Sequence, residues 1–320
     1  MKIAVLDGYM LGHGDVSFAP VEDLGEYAYY DSTDCSNADE IVEHIGSAEI
    51  ILVNKVPITA EIFDRCPNLK FICETATGYN NIDLQAAAAH SVLVSNVPSY
   101  GTNTVAQFAM ALLLEICNGV GHHAAAVRKG RWSSCQYNCF WDFSNIELAD
   151  KTIGIIGAGR IGMTFARMAQ AFGARIIASH PRKVGEPFEF GCYTSMDELL
   201  AQSDIISLHC PLTPETNQLI NAETIKKMKH GAILINTSRG QLIDEAALTA
   251  ALEGGKIKAA GLDVASSEPI AEDNPLLSAP NCILTPHMAW SATEARQRLM
   301  DICVENLKAY IGGQPVNLVR

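Results

Sequence analysis

Residues 151–173, KTIGIIGAGRIGMTFARMAQAFG, limit the possible folds more than any other stretch of this chain. Positions 152–156 form an apolar run long enough for one buried strand, which breaks directly into Gly157-Ala158-Gly159-Arg160-Ile161-Gly162. Ile161, Phe165, Met168, Ala169 and Phe172 then recur at helical spacing and predict one apolar face. Gly173 stands where a helix closes on a C′ glycine, and 175–179 reads as a second strand. A strand, a G-x-G-x-x-G turn and a helix form the first half of a dinucleotide-binding unit. Gly157 permits the tight turn, Gly159 lets the backbone approach a pyrophosphate, and Gly162 lets helix and strand pack closely. The helix N-terminus offers free N–H groups and a partial positive charge to the phosphates. Glycine-rich turns are common, so it is the strand before and the helix after that give this one its meaning.

At 320 residues the chain exceeds one comfortable core, and two domains are expected. The net charge of −13 argues against nucleic acid or an anionic membrane as partner. No stretch approaches a membrane span, and Met1-Lys2 leads straight into a strand at 3–6, leaving no room for a signal peptide. Ten cysteines are scattered without C-x-x-C spacing, and Cys73, Cys117, Cys210 and Cys282 sit in apolar runs. They read as reduced core thiols of a cytoplasmic protein with no metal centre.

Along the first hundred residues, strands at 3–6, 50–53, 71–73 and 92–94 alternate with helical patterns around 38–45, 60–66 and 82–89. That rhythm describes a small parallel α/β domain. Pro98-Ser99-Tyr100-Gly101 is a break, and a long apolar helix follows at 104–117. Residues 128–143 are irregular and aromatic (Trp132, Tyr137, Phe140, Trp141, Phe143), a composition suited to a contact arm. From 151 the α/β rhythm resumes, with strands at 153–156, 176–179, 205–208, 233–236, 261–264 and 283–285 and a capping box at Ser195 and Glu198. A last helix spans 292–311. The expected fold is α/β with two parallel-sheet domains: a doubly wound Rossmann domain and a smaller flavodoxin-like one.

In doubly wound sheets, ligands bind beyond the carboxyl ends of the strands. That rule selects His209, Ser238-Arg239, Asp263 and His287, which follow four successive strands. Each has a plain alternative as a turn arginine, a loop-capping aspartate or a satisfied histidine, with Glu268 a solvated acid. Their joint placement is what points to a site.

At these residues the chain resembles the D-isomer-specific 2-hydroxyacid dehydrogenases. The matching motifs are GAGRIG (157–162), HCPLTPET (209–216), INTSRGQLIDEAAL (235–248), GLDVASSEP (261–269) and TPHMAW (285–290). ATGYNNID (76–83) and YGTNTVAQFAMALLLE (100–115) extend the resemblance over nearly the whole chain. ATGYNNID, FWDF (140–143) and PHMAW are similar to glycerate dehydrogenases, also called hydroxypyruvate reductases. The family's architecture implies a discontinuous substrate domain of 1–100 and 292–320. Residues 101–291 would then bind the nucleotide and carry a dimerisation arm around 118–148.

The resemblance implies a catalytic set of Arg239, Glu268 and His287. The chemistry suits a 2-keto acid, whose carbonyl becomes an alkoxide as hydride arrives. Arg239, fork-shaped and always charged, can hold the carboxylate and polarise the carbonyl. His287 can give a proton to the alkoxide or take it back, and Glu268 beside it favours the charged ring and fixes its orientation. By the same analogy, backbone N–H groups of Ala76-Thr77-Gly78 hold the substrate carboxylate. Asn54 and Lys55 lie near that mouth, although a solvated turn explains them equally well. Trp141, from a second subunit, and Trp290 complete the substrate wall, so a homodimer is expected.

For the cofactor, NAD(H) or NADP(H), the family pattern implies Thr104, the glycine loop with Arg160 and Ile161, and His209-Cys210-Pro211 with Thr216. Thr237, Ser238, Arg239, Asp263 and His287 fall near the nicotinamide. NAD-specific relatives carry an acidic residue at the end of the second strand. Here His180 occupies that place, and Arg182 and Lys183 follow, which tilts the expectation toward NADP(H). A sibling enzyme acting on phosphoglycerate, D-lactate, formate or phosphonate stays open. So does a non-catalytic NAD(H)-sensing protein resembling the corepressors of this scaffold.

Overall fold

The computed structural model describes residues 1–180 and 182–319. The chain forms two compact units, one of Met1–Gly101 with Ser291–Arg320 and one of Thr102–Trp290.

In the first unit, β1 (Lys2–Val5), β2 (Glu26–Tyr29), β3 (Ile50–Val53), β4 (Phe71–Glu74) and β5 (Leu93–Ser95) pair in parallel. Their order, β2-β1-β3-β4-β5, is the flavodoxin-like one. Every residue of β3 and β4 is buried, as suits central parallel strands covered on both faces. The sequence reading has no strand at β2, because its EYAY stretch is an edge with no apolar run. Asn37 and Asp83 cap the helices Ala38–Ile45 and Leu84–Ala89, each side chain accepting two backbone N–H groups. The second helix therefore starts two residues later than its apolar pattern predicts. The helix Thr293–Ile311 is fastened by Arg296, which is 4% exposed and donates to both carboxylate oxygens of Asp15 and to the carbonyls of Leu11 and Gly12. The Arg296 guanidinium holds the Asp15 carboxyl down at about 2. The C-terminal tail returns along β5, with Val319 N–H donating to the Val94 carbonyl and Asn96 N–H to that of Asn317.

The second unit contains an eight-stranded sheet in the order β13-β12-β11-β10-β6-β7-β9-β8. Its strands are β6 (Thr152–Ile156), β7 (Arg175–Ser179), β8 (Pro187–Phe188), β9 (Gly191–Thr194), β10 (Ile205–Leu208), β11 (Ala232–Asn236), β12 (Ile257–Leu262) and β13 (Cys282–Leu284). All pairings are parallel except β8 with β9. The sheet is doubly wound, and strand order reverses between β6 and β10.

Three local readings need correction. The β8–β9 hairpin is absent from the sequence reading because strands of two and four residues carry no periodicity. β12 begins four residues early, since exposed Lys258 interrupts its apolar run. Phe172 is 48% exposed at the end of the helix Arg160–Ala171, so the apolar face stops at Ala169. That helix closes through Gly173 at φ +83, with Gly173 N–H bonding to Gln170 and Ala174 N–H to Ala169. Residues 120–128 add a helix, Val120–Arg128, which Gly119 at φ +55 separates from the core helix Thr102–Asn118. The Ser195–Glu198 capping box is present. Among the described residues no single helix is long and apolar enough to cross a membrane. Cys73, Cys117 and Cys210 are buried, Cys282 is partly buried, and Cys35, Cys139 and Cys192 are exposed.

Candidate active site

The glycine turn lies where the strand order reverses, and its three glycines answer to different neighbours. A Cβ on Gly157, at φ +102, would stand 2.4 Å from the backbone of His209 and Cys210. One on Gly162 would stand 2.2 Å from the Gly157 carbonyl oxygen. Both glycines are therefore demanded by packing. Gly159 has nothing within 4 Å of the same position, so its open side is available to a ligand. The helix that follows has Gly159 as N-cap and no side-chain cap, which leaves its first N–H groups for an anion. Arg160 beside them is exposed, and Ile161 is half-buried.

Two buried polar atoms beyond the adjacent strands lack partners among the described residues, Thr237 Oγ1 and His209 Nδ1. The other ring nitrogen of His209 lies 2.8 Å from Ser207 Oγ, and burial pulls the ring down to about 3, so it stays neutral. Buried polar groups demand partners, and these two await a polar molecule. An open glycine face, a free helix N-terminus and two orphaned polar atoms fit a nicotinamide dinucleotide. Burial pushes the Cys210 thiol up. Pro211 is exposed, and Thr216 turns inward, its hydroxyl accepting the Thr213 N–H and donating to the Pro211 carbonyl.

Arg239 follows β11 in a turn built by Asn236, which is fully buried and was not singled out from the sequence. The Asn236 side chain accepts the Ser238 N–H and donates to the Arg239 carbonyl, each at 2.9 Å. Ser238 donates to the Leu208 carbonyl, tying the turn to β10. One guanidinium nitrogen of Arg239 donates to the Ser238 carbonyl. Gly240 brings this turn against the loop carrying Glu268, since a Cβ there would sit 1.9 Å from the Ala265 carbonyl carbon.

Glu268 Oε2 lies 2.5 Å from His287 Nδ1, which leaves Nε2 as the ring atom that can exchange a proton with a ligand. His287 adopts φ +50, a conformation rare outside glycine. Asp263 explains why it persists. Its carboxylate, with no exposure, accepts Thr285 Oγ1 at 2.6 Å and the N–H groups of Met288 and Ala289 at 3.0 and 2.7 Å. The Asp263 carbonyl also takes the His287 N–H. Burial pushes the Asp263 carboxyl up against those hydrogen bonds. The sequence reading places Asp263 near the nicotinamide; in the structure its carboxylate oxygens bind the loop that presents His287. Trp290 donates its ring N–H to the His287 carbonyl, and Thr104 donates to the Ala289 carbonyl, so both brace the same loop.

His180, beyond β7, accepts the Arg182 N–H on Nδ1 and meets the Tyr193 ring edge-on. Lys183 stacks its ammonium over that ring at 5.5 Å, and the Arg182 side chain is exposed. In the first unit, Asn54 is 7% exposed and donates its amide to Thr75, while Lys55 is exposed. Thr77 and Ala76 are pinned to Val97 through a hydroxyl and a carbonyl, and Gly78 is half-buried. Trp141 lies on the arm at 67% exposure. Also on the arm, His122, His123 and Asp142 approach within 4.8 Å of one another. Asp142 is already paired with Arg131 and His122, and His123 Nε2 accepts the Asp142 N–H, so those ligand positions are in use.

A crevice that fits a nicotinamide dinucleotide, in the same unit as a hydrogen-bonded Glu–His pair and the Arg239 turn, has the makings of a dehydrogenase site. The sequence pattern of the D-isomer specific 2-hydroxyacid dehydrogenases, NAD binding domain, matches residues 110–289, and the chain belongs to that family of oxidoreductases. It is 51% identical over 320 residues to the hydroxypyruvate reductase of Blautia hydrogenotrophica, covering 100% of this chain and 99% of the relative. It is 41% identical over 296 residues to the glycerate dehydrogenase of Methylorubrum extorquens, covering 92% of each. An acyclic imino acid reductase solved with NADPH and D-Arg superposes with a TM-score of 0.85 at 31% identity over the full length of both chains.

The Asp263 network generates a test. Asp263→Asn turns one acceptor into a donor facing the loop's N–H groups. We expect kcat to fall about 10- to 100-fold, equivalent to about 1.4–2.7 kcal/mol. The urea midpoint should fall as well, while NADH binding measured by fluorescence changes little. A variant with wild-type kcat would show that the loop does not depend on the carboxylate.

Proposed function

We propose that the protein reduces hydroxypyruvate to D-glycerate and glyoxylate to glycolate. The Glu268–His287 contact carries the reaction type, and the full-length likeness to a hydroxypyruvate reductase supports the substrate class. Arg239 binds the substrate carboxylate and draws electron density from the neighbouring carbonyl. A bound reduced nicotinamide would supply the hydride that the carbonyl carbon takes up. His287 Nε2 gives its proton to the carbonyl oxygen, and Glu268, bonded to Nδ1, stabilises and orients the ring. In the first unit, the backbone of Ala76-Thr77-Gly78 offers N–H groups to a substrate carboxylate. Neutral His209 and the Thr237 hydroxyl orient the cofactor without adding charge.

Arg239 recognises features that every 2-keto acid shares. Discrimination then falls to groups that can meet C3: Trp141 and Trp290 offer indole surfaces in the second unit, and in the first Lys55 offers a polar group while Asn54 fixes Thr75. A small polar cleft favours a hydroxymethyl group over a bare methyl and excludes branched chains by size. The expected order of kcat/KM is hydroxypyruvate, glyoxylate, pyruvate well behind, and branched 2-keto acids last. Pyruvate or a branched acid matching hydroxypyruvate would overturn the substrate assignment. Absence of turnover on all four, with intact nucleotide binding, would favour a sibling substrate or a sensing role.

The ribose end of the cofactor is read at His180. With no carboxylate there, a 2′-phosphate meets no repulsion, and exposed Arg182 can bind it. NADPH should therefore be used at least as well as NADH. His180→Asp adds a ribose acceptor and repels phosphate, shifting the ratio of kcat/KM values toward NADH by about tenfold or more. Strong rejection of NADPH by the wild-type enzyme would exclude Arg182 from phosphate binding.

The arm supports a homodimer. Trp132, Tyr137 and Trp141 are 53%, 71% and 67% exposed, an apolar surface too large to leave in water. Light scattering should give about twice the 34.5 kDa chain mass. An active monomer at assay concentration would refute both the dimer and a role for Trp141 in a partner's site.

A further inference from the structure

β4 ends on Glu74, whose side chain has no solvent exposure and directly precedes the loop 75–81. Oε2 accepts from Asn81 Nδ2 at 3.1 Å, and Oε1 has no partner among the described residues. The Asn81 amide also donates to the Val56 carbonyl at 3.2 Å, while the Asn81 carbonyl accepts the Ile58 N–H at 2.8 Å. Asn81 therefore clamps the loop 75–81 to the loop 54–58. A second tie, from Asn54 to Thr75 at 2.7 Å, lies beside it. Asp7, at the end of β1, accepts the N–H groups of Asn54, Lys55 and Val56.

The charged and titratable groups around Glu74 are Asp7 beyond β1, Lys55 after β3, Cys73 on its own strand, and Cys303 on the final helix. Lys55, the one cation among them, is exposed, whereas Asp7 is buried. A carboxylate would leave Oε1 charged and unsolvated close to a second acid, a far costlier state than a neutral acid. Burial pushes the Glu74 carboxyl up to about 9; the Asn81 hydrogen bond opposes this and Asp7 adds to it.

We propose that Glu74 is a positioning residue for substrate recognition: as the neutral acid it acts through Asn81 to fix the loop 75–81, whose backbone takes the substrate carboxylate. The inference rests on the 2-keto acid reading above. Neutrality lets the Asn81 clamp hold without a buried charge. When Glu74 ionises, Asn81 keeps its acceptor, but the unsolvated charge at Oε1 favours opening of the loop to water.

The folded-state carboxyl titrates far above its ordinary value, so the proton is held through neutral pH and lost as pH rises past about 9. If only the protonated form binds well, the wild-type KM for hydroxypyruvate should be about tenfold higher at pH 10 than at pH 7. Glu74→Gln keeps an acceptor for Asn81 and carries no charge, so its KM should stay within about twofold across that range. Glu74→Leu removes the acceptor and should raise KM more than it lowers kcat at pH 7. An alkaline KM rise in Glu74→Gln equal to that of the wild type would overturn the proposal. So would an unchanged KM in Glu74→Leu; if that variant does not fold, the glutamine comparison decides.

Hydrogen exchange of the 76–81 amides, corrected for intrinsic rates, tests the clamp without turnover. Protection should fall at pH 10 in the wild type and persist in Glu74→Gln. Equal protection in the two would sink the role of Glu74 even if the enzyme reduces hydroxypyruvate. The expected difference without any turnover would sustain the clamp and sink the substrate reading instead.

Discussion

The loop that presents His287 depends on one buried carboxylate. Asp263 lies at the end of β12 with no exposure, and its two oxygens accept three donors from Thr285, Met288 and Ala289. Burying an acid is unfavourable, and here the cost is offset by gathering donors that would otherwise be orphaned. Those bonds, with the His287 N–H on the Asp263 carbonyl, hold the histidine in a left-handed conformation that it would not adopt alone. Thr104 and Trp290 brace the same loop from two further directions. The contact of His287 with Glu268 is thus a consequence of packing beneath it.

Close backbone contacts assemble the rest of the crevice in this unit. Gly157, Gly162 and Gly240 each stand where a methyl group would strike main-chain atoms. These contacts bring the turn after β6 against the start of β10's loop, and the Arg239 turn against the Glu268 loop. Main chain is stiffer than side chain, so a site built this way keeps its geometry when no ligand is bound. Asn236 extends the same logic, using one side chain to close the turn on which Arg239 is mounted.

The first unit fixes its loops with buried acids as well, and burial pushes both carboxyls up. Asp7 meets three N–H groups, whereas Glu74 meets one amide and leaves an oxygen without a partner among the described residues. The difference follows from backbone geometry. Asp7 faces the start of a turn, where successive N–H groups converge, and Glu74 lies at the end of a central strand whose own N–H groups belong to the sheet.

The sequence by itself determined the two α/β units, the doubly wound sheet, the glycine turn and the residues at the strand ends. These are local properties: an apolar run, a glycine spacing and a helical period are visible without knowing what packs against them. Short or edge strands such as β2 and β8 were illegible, because neither carries a buried face long enough to show a period. Only the tertiary structure decided the work of each polar residue. Asp263 supports a loop, Asn54 is occupied by Thr75, and Asn236 and Glu74 pass unnoticed in their strands. The physical reason is that a polar side chain's role is set by its partners. Those partners stand 20 to 30 residues away in the chain for Asp263, Asn54 and their loops, a separation no local pattern records.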